Sequence, residues 1–512
     1  MPVSSRHLVV AAAVLAAAIT LLPIGVVAVD AIGRTPGGLG GAADYLVRPR
    51  IGELLANTLL LIAVTVPATV VLGVGSAWLV ERTDLPLAGV WRVLLGAPLA
   101  VPAFVAAYAW VSFRPGLDGL GGAALVTTAA YFPFVYLPVA AILRDLDAAP
   151  EEDARALGAG PWAAWRRTVL PRLRPAISGG ALLVALHLLA EFGVLEMMRY
   201  PTFTTAILVQ YQVSFSSNQG SLLALVLVML CITVLTLEHL LRGSARTSRV
   251  GRGVHRRAEA VRLGRWTPLA CLALTAVVLV SLVVPVTLVG RWLARWVAAP
   301  TEEIAMRPSL LLTTGSTISL ALAAAALTLL LALPGAWLLS RRRSGWTLLL
   351  ERVTYVASSL PGVVIALALI TLSVRYLPAA YQSPALLVLG YTILFIPRAM
   401  VSLRSGLAAA PPELSDAARS LGSSPVEAFR RVVLPLILPS ALTGAALVAI
   451  ATATELTATL LLAPTGTSTL ATAFWAASDE FDYTGAAPFA AMMILLSAPL
   501  TFLMLRQSGI EE

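Results

Sequence analysis

"EEDARALGAGPWAAWRRTVLP", residues 151–171, is a polar stretch with three leading acids and a later arginine pair, set between two long apolar segments. Charge is scarce elsewhere: Asp, Glu, Lys and Arg make up 12% of the 512 residues, against 58% hydrophobic. A soluble chain of this length needs far more polar surface. The mean hydropathy of +0.86 and repeated apolar runs of about 20 residues, enough to cross a ~30 Å hydrocarbon core, predict a polytopic membrane protein. The polar stretch then has to sit outside the lipid.

Hydropathy, broken at Gly, Pro and charge, predicts an all-α protein of about twelve transmembrane helices. The first six lie near 8–29, 54–80, 91–112, 122–143, 176–197 and 221–241. The second six lie near 267–290, 310–340, 354–374, 385–404, 439–462 and 485–506. The opening run is longer than the apolar core of a signal peptide and reads as the first span. All 36 basic residues are arginine. Most fall in segments that are inside if the N-terminus is inside, among them "RGSARTSRVGRGVHRRAEAVRLGR" (242–265) and Arg341, Arg342 and Arg343. The positive-inside rule therefore predicts a multi-pass membrane protein with both termini cytoplasmic. The net charge of +9 follows this topology and does not predict nucleic-acid binding. The Arg-rich linker reads as a solvated tether, with lipid or nucleic-acid contact as the alternative. Cys231 and Cys271 lie in apolar spans, which predicts neither a disulfide framework nor a thiolate metal site.

The opening stretch occurs twice. "ELSDAARSLGSSPVEAFRRVVLP" (413–435) aligns with it, Gly158 on Gly422 and Pro171 on Pro435, each pair 264 residues apart. The register continues through Pro175 and Pro439, Gly180 and Gly444, Glu191 and Glu455, Thr205 and Thr469. Earlier, "GSAWL" (75–79) answers "GAWL" (335–338). The chain therefore reads as two parallel six-helix repeats, 1–241 and 267–512, joined by the linker 242–266, with a polar loop at 144–175 and another at 405–439. Such a duplication predicts a pseudo-two-fold axis along the membrane normal and a pathway between the repeats.

Each loop has the chemistry of a rigid elbow. Pro150 and the acids Glu151, Glu152 and Asp153 favour a helix start. Gly158 and Gly422 suit a left-handed turn that ends the helix. Pro161 and Pro425 then suit the first turn of a second helix, which carries Trp165 or Phe429 and an arginine pair. An elbow so held can transmit a push from a partner; the alternative is a solvated loop with ordinary caps.

The pattern resembles the E-A-A, Gly, I-x-L-P signature of ABC importer permeases. Here it reads Glu152-Asp153-Ala154, Gly158 and Thr168-Val169-Leu170-Pro171, then Asp416-Ala417-Ala418, Gly422 and Val432-Val433-Leu434-Pro435. Asp153, Thr168 and Asp416 depart from it, and the shorter Asp416 predicts a weaker ion pair with the partner. The resemblance implies that each loop seats on one copy of a cytoplasmic ABC ATPase, with ATP and Mg on that subunit and no cofactor in this chain. It also implies an extracytoplasmic substrate-binding protein. Without lysine there can be no Walker A motif in this chain, so ATP hydrolysis falls to the partner and no catalytic residue is expected here.

From about residue 45 to 505 the chain is most similar to fused permeases for ferric iron, through "NTLLL", "AWLVERTDLP", "AEFGVLEMMRYPTFTTAI" and "TELTATLLLAPTGTSTLATAFW". Thiamine and aminoethylphosphonate permeases share the frame. Ionisable groups in lipid are costly and usually functional, so Glu191 and Glu455 are candidates for the substrate pathway; the other reading is that each fixes a helix break. His187 is a candidate ligand or a packed residue. "SDEFDY" (478–483) reads as a docking surface or solvated loop, with metal capture as the alternative. The Gly-rich "TPGGLGGAADY" (35–45) reads as a flexible outer loop. A membrane enzyme or an ion-coupled carrier are the rival classes. The four histidines (7, 187, 239, 255) show no ligand spacing, and a carrier needs no pair of docking loops.

Overall fold

A computed structural model describes residues 3–33, 35, 37–214, 217–242, 260–299, 309–341, 344–357 and 360–507. Most of the Arg-rich linker, with His255, and Arg342 and Arg343 lie outside the described residues. Those described form helices and one isolated β-bridge, Thr83 with Val261. Leu-, Val- and Ala-rich runs without charge can bury their backbone polar groups in lipid only by hydrogen bonding internally, which is what a helix does. Among the described residues nine helices are long and apolar enough to cross a membrane, or ten if one bent pair counts as a span. Two shorter apolar helices, Gly362–Tyr376 and Tyr483–Pro499, occupy the places of two further expected spans.

The bent pair corrects the third expected span. Helices Ala88–Ala100 and Ala103–Phe113 meet at 92°. Val101 and Pro102 between them are extended, as a proline and the residue before it prefer, since Pro102 has no N–H and crowds its predecessor out of helix. The residues that follow, Val105, Ala107 and Ala109, are fully buried, so the break is enclosed by protein.

Packing divides the chain into two compact units. One comprises residues 1–52, 203–229 and 298–493; the other comprises 53–202, 230–297 and 494–512. In the first unit the opening helix Val3–Gly33 packs on Leu310–Arg341, Gly345–Ala357 and Gly362–Tyr376. Buried Asp30 pins it there, 2.7 Å from Arg375, while Ser221 donates to the same carboxylate at 2.8 Å. In the second unit Val284–Val297 packs on Ala103–Phe113, and Trp292 donates to Ser112 at 3.1 Å. Each unit thus holds the opening helix of one repeat against helices of the other.

The paired glycines mark a packing contact made once in each unit. A Cβ on Gly180 would lie 2.8 Å from the Phe134 carbonyl oxygen, and one on Gly444 would lie 2.9 Å from Ser402 Cβ. Helix Leu170–Ala190 is therefore flush against Pro133–Arg144, and Leu434–Ala453 against Pro384–Ala408. In both repeats the span after the polar loop is locked to the span before it.

One expected loop is a helix. Gly38–Leu46 is helical, starting after Gly37 at φ +83°. Ala42 is buried with Ala31 and Leu222, and that burial outweighs the poor helix propensity of its glycines.

Candidate functional site: two elbows and two carboxylates

The first elbow is the helix Ala149–Ala156, a turn, and the helix Pro161–Thr168. Gly158 stands at φ +87°. Its N–H donates to the Arg155 carbonyl at 2.9 Å, and Ala159 N–H donates to the Ala154 carbonyl at 3.0 Å. This is a Schellman close, which a side chain at the glycine would strain. The second elbow repeats it after the helix Pro412–Ser420, with Gly422 at φ +95°. Gly422 donates to Arg419 at 3.0 Å and Ser423 to Ala418 at 3.1 Å. Ser424 then caps the next helix, accepting from Glu427 N–H at 3.2 Å. Local sequence sets this shape: proline starts each helix, glycine ends the first, and the bonds recur 264 residues apart.

The motif residues are accessible. Glu152, Asp153, Asp416 and Ala417 are exposed, and Ala154 and Ala418 are half-buried. More exposed still are two residues that the motif reading passed over, Leu157 at 88% and Leu421 at 89%. Beside them Trp162 is 69% exposed and Val426 76%. The signal was present in the sequence as an apolar residue before each glycine and another after each proline. Apolar tips on polar loops, matched in two copies, form a surface suited to a protein partner. Burying one leucine there contributes about 1.5–3 kcal/mol.

The two elbows are anchored by different chemistry. In the first, the buried acid is Glu151, one residue before the motif's Glu152. Arg82 donates to it at 2.5 Å and Arg155 at 2.9 Å. Glu81 beside it accepts from Arg92 at 2.9 Å and from Arg144 at 3.0 Å. The Arg82 pair binds the elbow to the end of Pro49–Arg82, and the Glu81 pairs bind that end to Ala88–Gly96 and Pro133–Arg144. The bridge at Thr83 joins the same place, where Val261 N–H donates to the Arg82 carbonyl at 2.8 Å. In the second elbow Ser415 is buried at the position of Glu151. Anchoring there is aromatic: Phe429 meets Trp337 edge-on with centroids 5.4 Å apart, and Arg341 lies 4.4 Å over the Trp337 ring.

Glu191 and Glu455 also occupy matching settings. Helix Leu170–Ala190 stops before Glu191, whose carboxylate accepts from Val194 N–H at 3.0 Å and from the Tyr131 hydroxyl. His187 packs its ring on Phe134, centroids 4.6 Å apart, and its Nδ1 lies 2.8 Å from the Leu183 carbonyl. Helix Leu434–Ala453 stops before Glu455, which accepts from Ala458 N–H, Thr459 N–H and the Thr459 hydroxyl, each at 3.0 Å. Tyr391, the counterpart of Tyr131, reaches the Thr459 hydroxyl at 2.7 Å. Each carboxylate therefore caps the short helix that follows the break, Gly193–Met197 or Thr457–Leu462. Asp482 of "SDEFDY" is likewise a cap, accepting from Gly485 N–H at 2.8 Å. Among the described residues no three His, Cys, Asp or Glu side chains gather as a metal site.

Residues 70–238 and 329–509, which bracket the two elbows, match the family described as binding-protein-dependent transport system inner membrane component. The chain belongs to that family. It is a permease subunit of an ABC importer, a multi-pass inner-membrane protein that transports and does not itself catalyse. Permeases of this family work with a separate ATPase and a binding protein and hold no cofactor. This permease is 34% identical over 472 residues to the Fe(3+)-transport system permease protein FbpB 2 of Haemophilus influenzae, covering 91% of this chain and 92% of that one. To the sulfate transport system permease protein CysW of Escherichia coli K12 it is 28% identical over 195 residues, 35% of this chain and 66% of the relative. To the molybdenum transport system permease protein ModB of Azotobacter vinelandii it is 31% identical over 171 residues, 30% of this chain and 76% of the relative.

Proposed function

We propose that this permease carries ferric iron from an extracytoplasmic binding protein to the cytoplasm by alternating access. The substrate rests on one observation: the likeness to the Fe(3+) permease runs through both repeats, over 91% of the chain. In this reading 1–241 and 267–512 are the two permease repeats, joined by the linker 242–266, and both termini face the cytoplasm. Each elbow seats on one of two ATPase subunits, which hold ATP and Mg. The exposed Leu157 and Leu421 enter a groove of the partner, and Glu152 and Asp416 meet its basic groups. A Schellman turn between two short helices is stiff, so displacement of the elbow reaches the span locked behind it at Gly180 or Gly444. Glu191 and Glu455 hold the helix breaks along the substrate pathway.

The test is uptake of radiolabelled ferric iron by cells that express the permease with its ATPase and binding protein. Accumulation should depend on all three and should resist excess sulfate, molybdate, thiamine and aminoethylphosphonate. Uptake of one of those solutes without iron would sink the substrate assignment and leave the transporter class standing.

A further inference from the structure

Matched residue by residue, the second helices of the two elbows present unlike surfaces. In the first, Pro161–Thr168, the exposed Trp162 stacks on Trp165, with centroids 5.2 Å apart and ring planes 13° from parallel. Residues three apart are neighbours on a helix, so one face of it carries a platform of two rings. The Trp165 indole N–H is buried without an acceptor, and ring contact alone holds the stack. Arg167, exposed in the last turn of the same helix, makes no ion pair among the described residues. In the second elbow Val426 stands where Trp162 does and Glu427 where Ala163 does, 264 residues on. Phe429, at the place of Trp165, meets Trp337 instead of a ring on its own helix. Glu427 holds Arg431, the counterpart of Arg167, at 2.9 Å.

The first elbow is tied down by Glu151 on Arg82, so its tryptophan pair is left for a partner. Tryptophan and arginine carry most of the energy at protein interfaces, the one through its large ring area and the other through its fork of donors. A valine offers less area, and an arginine already held by an acid must share or break that pair to bind another. We propose that the two ATPase seats are unequal: Trp162 and Arg167 make the first elbow the tighter one, fitting an apolar socket of the ATPase rimmed by a carboxylate. This rests on the reading that each elbow seats on one ATPase subunit. Asp416, shorter than Glu152, weakens the second seat further. Two identical ATPase copies then bind in order, the first elbow filling first and the second releasing first. A complex with a single ATPase, held at the first elbow, is the intermediate of assembly.

The experiment titrates the full-length permease, in lipid nanodiscs, with its nucleotide-free ATPase and counts bound copies by native mass spectrometry, with melting temperature in parallel. With the statistical factor removed, the dissociation constants of the two seats should differ by about tenfold in wild type, the worth of the added ring area and one surface charge contact. Trp162→Val should weaken the first step by about tenfold and leave the permease's melting temperature as in wild type. Val426→Trp is the independent probe and should tighten the second step toward the first. Arg167→Gln should lower the salt dependence of the first step, as loss of a charge at an interface does. Equal seats in wild type, or a first step untouched by Trp162→Val, would overturn the inequality while leaving the elbows as docking sites. Undiminished binding of both copies by a Leu157→Asp, Leu421→Asp double variant would instead remove the docking reading beneath it.

Discussion

Arg82 donates to Glu151 at 2.5 Å, and this one contact ties the last residue of the long helix Pro49–Arg82 to the first turn of the first elbow. Both residues are buried; removing Glu151 takes this carboxylate from Arg82, and removing Arg82 leaves Glu151 with the half-exposed Arg155. Breaking such a pair costs about 3–5 kcal/mol. Glu151→Ala is expected to insert in the membrane but to lose most binding-protein-stimulated ATP hydrolysis in reconstituted vesicles. Arg82→Ala should do the same, and the double variant should be little worse than either. Strict additivity of the two losses would show that the contact does not act as a unit.

Leu157 and Leu421 are the apolar tips of the elbows. Since both are exposed, Leu157→Asp should leave folding unchanged and weaken ATPase binding by about tenfold or more, the value of one leucine moved out of water. Leu421→Asp should match it, and the double variant should release the ATPase during gel filtration. Unchanged co-elution of the double variant would mean that the tips dock nowhere.

The turn glycines offer a cleaner perturbation. No atom lies within 4 Å of where a Cβ on Gly158 or Gly422 would be placed, so valine there meets no neighbour. Its only cost is the positive φ, on the order of 1 kcal/mol or more. That is too little to unfold the protein and enough to re-aim a short helix. Gly158→Val with Gly422→Val should leave expression normal and ATP hydrolysis unresponsive to loaded binding protein. Full stimulation in this double variant would remove the elbows from the coupling route.

Glutamine at positions 191 and 455 keeps one acceptor oxygen for the capped helix and removes the charge. The paired Gln variant should assemble with the ATPase and lower iron uptake by about tenfold, as a lost charge-assisted contact would. Wild-type uptake would reduce both groups to helix caps.

Orientation is testable at the second elbow. On a background with Cys231→Ala and Cys271→Ala, Ser423→Cys should resist an impermeant thiol reagent in intact cells and react in inverted vesicles. Labelling in intact cells would reverse the topology.

The elbows were legible in the sequence because their determinants are local: proline, acid, glycine and spacing fix a turn within a few residues. Which acid is anchored was not legible. Glu151 and Glu152 differ by about 100° around a helix, and only the position of Arg82, distant in sequence, selects between them. The exposed leucines were missed for a related reason, since in a chain this apolar one more leucine carries no contrast. The helix Gly38–Leu46 depends on Ala31 and Leu222 across the unit, which no local window contains. The break at Pro102 had a local cause, but apolar residues on both sides made one straight span the simpler pattern. The caps at Glu191 and Glu455 agree with one of the two readings open from the sequence, that a carboxylate in lipid fixes a helix break.

Asp30 has a history that the finished fold conceals. Its helix is made first, yet Arg375 follows 345 residues later. At about 5–20 residues per second of synthesis, the interval is roughly 20–70 s. For that time the newborn helix waits for the Arg375 contact, near one end of a strongly apolar segment, while the ribosome completes the rest. The ion pair is therefore a late event in biogenesis, and a chain truncated before Arg375 lacks the contact that pins its opening helix to Gly362–Tyr376.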